Sequence, residues 1–127
     1  PPYQQIIPSD FKTSLMVETN NIRAALERAE IIVKEGGNNL VKLEIDRGGI
    51  KILAVNQDVG SAQDFIQASV QGEPLEIRFN VRLLLDCLRN IKDQQVNLDF
   101  TGPFSPCTIR PVQNHNYLHL VLPVRIS

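Results

Sequence analysis

Two histidines, two cysteines and fourteen carboxylates are the residues of this 127-residue chain best suited to acid–base, thiol or metal chemistry, and no motif gathers them. A general base has to stand within hydrogen-bond reach of the proton it takes. His115 and His119 lie in or beside the final strand, with no cysteine, serine or carboxylate set against them at a recognised spacing. Alternation along that strand puts His119 opposite Leu118 and Leu120, which predicts a solvent-side position. Cys87 and Cys107 lack the tight spacing of a zinc site or a disulfide framework and read as apolar side chains. DxD, HExxH and CxxC are absent, so neither a metal nor another cofactor is expected. Gly36-Gly37-Asn38-Asn39 follows a helix instead of opening one; without an N-terminal dipole it reads as a C-cap and loop, not a phosphate cradle. What remains is the chemistry of binding. The strand Tyr117-Leu118-His119-Leu120-Val121-Leu122 runs straight into Pro123-Val124-Arg125-Ile126-Ser127, an apolar tail that predicts a partner.

The elements that must carry this tail form one plan used twice. Thr13 to Thr19 reads as a strand running into Asn20 and an amphipathic helix to Val33; Leu75 to Phe79 runs into Asn80 and a helix to Ile91. Ile22, Ala25, Leu26, Ala29 and Ile32 fall at steps of three and four, as do Leu84, Leu85, Leu88 and Ile91, so each helix turns one stripe to the core. Asn20 and Asn80 both sit where an N-cap belongs. Leu15 and Val17, then Val41, Leu43 and Ile45, keep the period of two of half-buried sheet. Asp46-Arg47-Gly48-Gly49 supplies a tight hairpin turn, Ser61 to Val70 reads as one long strand, and Gln71-Gly72-Glu73-Pro74 marks the seam between the halves. Eight strands and two helices predict an α+β fold: two antiparallel four-stranded sheets closed over a helix pair, built from an internally duplicated half-domain. Neither copy can bury its apolar face alone.

Composition agrees with one soluble globular domain: 43% of residues are hydrophobic and 21% charged. The net charge of −1 gives no global field for nucleic acid, so any such contact has to be local. No apolar run reaches membrane-spanning length and no signal-peptide order opens the chain, which predicts a cytoplasmic protein. Pro1-Pro2-Tyr3-Gln4-Gln5-Ile6-Ile7-Pro8 begins without methionine and reads as a linker cut from something longer, giving a linker remnant over 1–10 and a domain over 11–127.

The chain resembles the bacterial sliding clamp, the beta subunit of DNA polymerase III, in its third, C-terminal domain. Four motifs carry the resemblance: Pro2-Tyr3 with Ile6-Ile7-Pro8; Ala25-Leu26-Glu27-Arg28-Ala29; Leu75-Glu76-Ile77-Arg78-Phe79-Asn80 with Leu84-Leu85-Asp86; and Leu122-Pro123-Val124-Arg125. It implies a non-catalytic processivity factor for DNA replication, a homodimer ring that encircles duplex DNA and tethers the replicative polymerase and clamp loader. The partner-peptide pocket it implies would draw on Gln5 and Ile6, Asn80 and Leu83 at the second helix start, Phe104 and Pro106 in the penultimate strand, and the tail residues Val121, Leu122, Pro123, Val124, Arg125 and Ile126. Arg23, Lys34, Arg82, Arg89 and Lys92 become candidates for loose phosphate contact. Arg28, Ile31 and Ile32, with Ser61, Gln63 and Phe65 on an edge strand, become candidates for the dimer interface. As a lone fragment the chain is expected to be a monomer or to self-associate weakly. In three places it departs from the pattern: Gln5 stands where a basic residue is common, Leu83 where tyrosine is frequent, and Ser127 lengthens the tail by one.

Two rival readings share some of these features. A stand-alone β-rich peptide-binding adaptor would keep the fold and groove without a DNA role. A small hydrolase would need a polar cleft with a perturbed base, which the sequence does not offer.

Overall fold

The computed structural model describes residues 11–36, 38–112 and 118–125. In chain order the first half contributes β1 (Thr13–Glu18), α1 (Thr19–Val33), β2 (Leu40–Asp46), β3 (Gly49–Asn56), β4 (Gly60–Gln67) and β5 (Ser69–Gly72); the second contributes β6 (Leu75–Asn80), α2 (Val81–Arg89), β7 (Gln95–Phe100), β8 (Cys107–Pro111) and β9 (His119–Val121).

The duplication closes by strand exchange. One sheet runs β5-β1-β7-β8-β9 and the other β4-β3-β2-β6, so the first strand of each half pairs within the other half's sheet. Thr13↔Phe100 through Glu18↔Gln95 join β1 to β7, and Leu40↔Asn80 through Ile45↔Leu75 join β2 to β6, all antiparallel. The helices pack against each other and on the sheets, burying Ile22, Leu26, Leu84, Leu85 and Leu88 with Leu15, Leu43, Ile52, Phe79 and Phe100. Each helix start is tied to the loop leaving the other helix: Thr19 N–H donates to the Gln94 carbonyl at 2.9 Å and Val81 N–H to the Asn39 carbonyl at 2.7 Å.

Several expectations are corrected. The first sheet has five strands among the described residues, because the segment read as one strand from Ser61 to Val70 breaks at Ala68. There β4 leaves the second sheet and β5 joins the first, against β1. Ala68 N–H donates to the Gly48 carbonyl across the gap at 3.0 Å. Asn80 caps α2 as expected, its Oδ1 accepting from Arg82 N–H at 2.9 Å. Asn20 does not cap α1, which begins one residue earlier; its Oδ1 accepts from the Arg23 side chain at 2.7 Å instead. With the Gln94 carbonyl already fixing the entry of the chain at Thr19, a side-chain cap is not what starts this helix. The second helix stops at Arg89, short of Ile91, because Asn90 N–H and Ile91 N–H donate to Cys87 and Leu88 carbonyls in a tightened last turn.

The hairpin over 46–49 forms as read, with Gly48 at φ +82°, where an L side chain is strained. The next residue, Gly49, has the Phe65 ring of β4 lying on its backbone, in space a Cβ would occupy. The first sheet also buries an ion pair: Arg110 Nη2 and Nε donate to Asp99 Oδ2 at 2.9 and 3.1 Å, and the Ser14 hydroxyl donates to Asp99 Oδ1. Among the described residues no helix is long and apolar enough to cross a membrane.

Candidate functional site

The tail is held at two points. In β9, Val121 pairs with Cys107 and His119 with Ile109, which sets β9 as the edge of the first sheet. Beyond it the chain crosses to the second sheet, where Val124 N–H donates to the Arg78 carbonyl of β6 at 2.8 Å. This is the counterpart of β5 in the first half: each fourth strand is followed by a segment that crosses to its own half's exchanged strand.

Between α2 and β9 lies a groove of about 550 Å³ lined by Leu83, Cys87, Asn90, Leu118, Leu120 and Leu122, among others. Its leucines face outward. Leu118, Leu120 and Leu122 are 53%, 66% and 67% exposed and Leu83 is 49% exposed, whereas Val121 is 5% exposed and packs in the core. The face of β9 is therefore the reverse of the sequence expectation: His119 is half-buried on the Val121 side and Leu118 and Leu120 look out. Cys87 also differs from a plain core residue. Its thiol lines the groove, and partial burial, reinforced by the adjacent Asp86 carboxylate, pushes its pKa up to about 11. Cys107 is fully buried and raised further by the same desolvation, as expected of an apolar residue.

Phe104 and Pro106 are not in the penultimate strand. They lie exposed in the connection between β7 and β8, which the Cys107↔Val121 pairing sets at the end of β9 where Leu122 departs. The Arg125 guanidinium stands 5.2 Å from the centre of the Phe104 ring, a cation–π distance. Leu122, Pro123, Val124 and Arg125 thus gather with Phe104 and the α2 groove at one corner of the molecule. Gln5, Ile6, Ile126 and His115 lie outside the described residues. Leu118, Leu120 and Cys87 belong to the groove although the sequence reading does not assign them to the pocket; for the two leucines the alternation along the strand is the available signal, read with the wrong face inward.

The basic candidates divide. Arg82 and Lys92 are exposed at the start and just past the end of α2, Lys34 is exposed at the end of α1, and Arg23 is held by the Asn20 amide. Arg89, in the last turn of α2, reaches Glu27 at 3.4 Å and Glu30 at 3.8 Å on α1. In the second sheet β4 is the edge strand, paired among the described residues with β3 alone. Asp64 turns toward α1 and takes both Arg28 nitrogens at 3.0 and 3.1 Å; this hydrogen-bonded pairing raises the Arg28 pKa. Ser61, Gln63 and Phe65 alternate onto the opposite, exposed face, Ile31 is exposed on α1, and Ile32 is half-buried. Among the described residues no three His, Cys, Asp or Glu side chains gather as a metal site.

Comparison with known proteins gives this geometry its context. The beta sliding clamp of Synechococcus elongatus is 34% identical over 128 residues, spanning 99% of this chain and 34% of that protein. The DNA polymerase III beta subunit of Thermotoga maritima superposes with a TM-score of 0.89 at 31% identity, covering 100% of this chain and 34% of that one. A sliding clamp from Bartonella birtlesii solved with griselimycin bound superposes at 0.85 with 33% identity, covering 99% of this chain and 34% of that one. The chain spans about a third of the length of these relatives. Residues 4–125 match the family described as DNA polymerase III beta subunit, C-terminal domain, and the chain belongs to that family.

Proposed function

We propose that this chain is the C-terminal third of a bacterial sliding-clamp subunit, acting without catalysis as part of a cytoplasmic homodimer ring that encircles duplex DNA. Residues 1–10 link it to a preceding domain and 11–127 form the third domain. Its groove captures short hydrophobic motifs of the replicative polymerase and clamp loader; its helices face the DNA; its α1 and β4 edge meets the other subunit. The observation that carries this reading is the outward row of Leu118, Leu120 and Leu122 beside Leu83, apolar surface along an edge strand that stays exposed among the described residues. Such a surface binds by burial, worth about 25 cal/mol per Å² of apolar area, with Asn80 and Arg125 as the orienting polar groups.

The test uses the full-length subunit carrying this domain and a fluorescent peptide bearing a hydrophobic clamp-binding motif. Leu122→Asp with Phe104→Ala abolishes peptide capture and leaves the circular dichroism spectrum unchanged. Retained affinity in a folded double variant removes the pocket from this corner.

A further inference from the structure

On the reading that the two helices face the duplex, we infer that Glu27 and Glu30 of α1 hold Arg89 of α2 away from phosphate, so that one of the face's cations is quenched by the chain's own carboxylates. Glu27 and Glu30 are three residues apart, so both carboxylates leave α1 on the same side. Arg89 Nη2 lies 3.4 Å from Glu27 Oε2 and 3.8 Å from Glu30 Oε1, across the helix–helix boundary. Two carboxylates about one guanidinium leave a local charge of about −1, which repels a phosphate where an unpaired arginine attracts one. The other arginines of this face are different. Arg23 is held by a neutral amide, that of Asn20, at 2.7 Å, and Arg82 projects from the first turn of α2, where the helix dipole adds positive potential.

The brace lies in water, with the three side chains 45%, 46% and 24% exposed, so it works by local charge balance more than by pair strength. Its consequence is kinetic. Each phosphate neutralised steepens the dependence of log affinity on log salt by about 0.9 and lengthens every stop along the duplex. A ring that must travel gains from holding that number low.

The experiment compares the full-length protein, its Glu27→Gln/Glu30→Gln variant, and that variant with Arg89→Ala added, binding a short linear duplex between 50 and 200 mM salt. Releasing Arg89 is expected to steepen the slope by about 0.9, which over this range enlarges the loss of affinity about three- to fourfold. Adding Arg89→Ala is expected to cancel that change. An unchanged slope in the glutamine variant overturns the inference, and so does a gain that survives removal of Arg89, since general loss of negative charge then explains it. Retention of the wild-type protein on nicked circular duplex, and its loss on linearisation, is read separately. Failure there sinks the ring and leaves the brace standing, while a retained ring with an unchanged slope does the reverse.

Discussion

Neighbouring residues in and just after β9 should fail in opposite ways when truncated. Burying a whole leucine side chain is worth about 1.5–3 kcal/mol, and Leu122 keeps 67% of its surface exposed in the free domain. About two-thirds of that value is then still available to a partner, so Leu122→Ala should cost about 1–2 kcal/mol of binding, a loss of about 5- to 30-fold. Leu120, at 66% exposure, should behave alike. Neither change opens a cavity, and the unfolding midpoint of each variant should stay where it is. Val121, between them, is 5% exposed and sits in the core. Val121→Ala removes two packed methyl groups at about 1–3 kcal/mol of fold stability. With a urea m-value of about 2 kcal/mol/M this lowers the midpoint by about 0.5–1.5 M. Fluorescence anisotropy with a labelled clamp-motif peptide and urea unfolding followed by circular dichroism separate the two effects. If Leu122→Ala or Leu120→Ala destabilises the fold while Val121→Ala weakens peptide capture alone, the assignment of faces in β9 is wrong and the groove with it.

Two further outcomes follow from local geometry. Asn80→Ala should lose about 1 kcal/mol of stability with its cap to Arg82 N–H, whereas Asn20→Ala, inside a helix and bonded only to a surface arginine, should lose less than about 0.5 kcal/mol; equal losses in urea titrations would refute the distinction. Cys87 should react slowly with iodoacetamide at pH 8, faster toward pH 11, and more slowly still with peptide bound, because its thiolate forms only near the raised pKa of about 11 and it lines the groove. The native state keeps a proton that the unfolded chain releases near the ordinary thiol value of 9.0, so this group's contribution to stability is intact below pH 9 and is lost as pH rises toward 11. Rapid alkylation at neutral pH would contradict the half-buried placement.

Much of this was legible in the sequence because the signals are local. The helical stripes from Ile22 to Ala29 and Leu84 to Leu88 are buried as their spacing implies, and the Gly48 hairpin turns where glycine permits it. The same local signal misled at Asn20, because a carbonyl 75 residues away in sequence, Gln94, already holds the first helical N–H. The break at Ala68 was invisible for a related reason: alternation continues through a strand that changes sheets, and only the partner strands reveal the change. In β9 a period of two distinguishes two faces without saying which is inside. Leu118 and Leu120 argue for the core, but Val121 opposite Cys107 occupies it. Leu83 and Leu122 came from motif matching, which by nature passes over positions outside the motif, as with Leu118 and Cys87.

The two halves finish their crossings unequally. The segment after β4 is laced to β1 by four residue pairs, Thr13↔Gly72 to Met16↔Ser69, whereas the segment after β9 has one main-chain bond to β6 among the described residues, from Val124. Pro123 has no N–H with which to extend it. On the proposed reading, an arriving peptide would meet, beside the greasy row of side chains, a margin of backbone that among the described residues is tied to β6 at Val124 alone, so the wall of the cleft could adjust its fit by giving up that bond while both sheets stay whole.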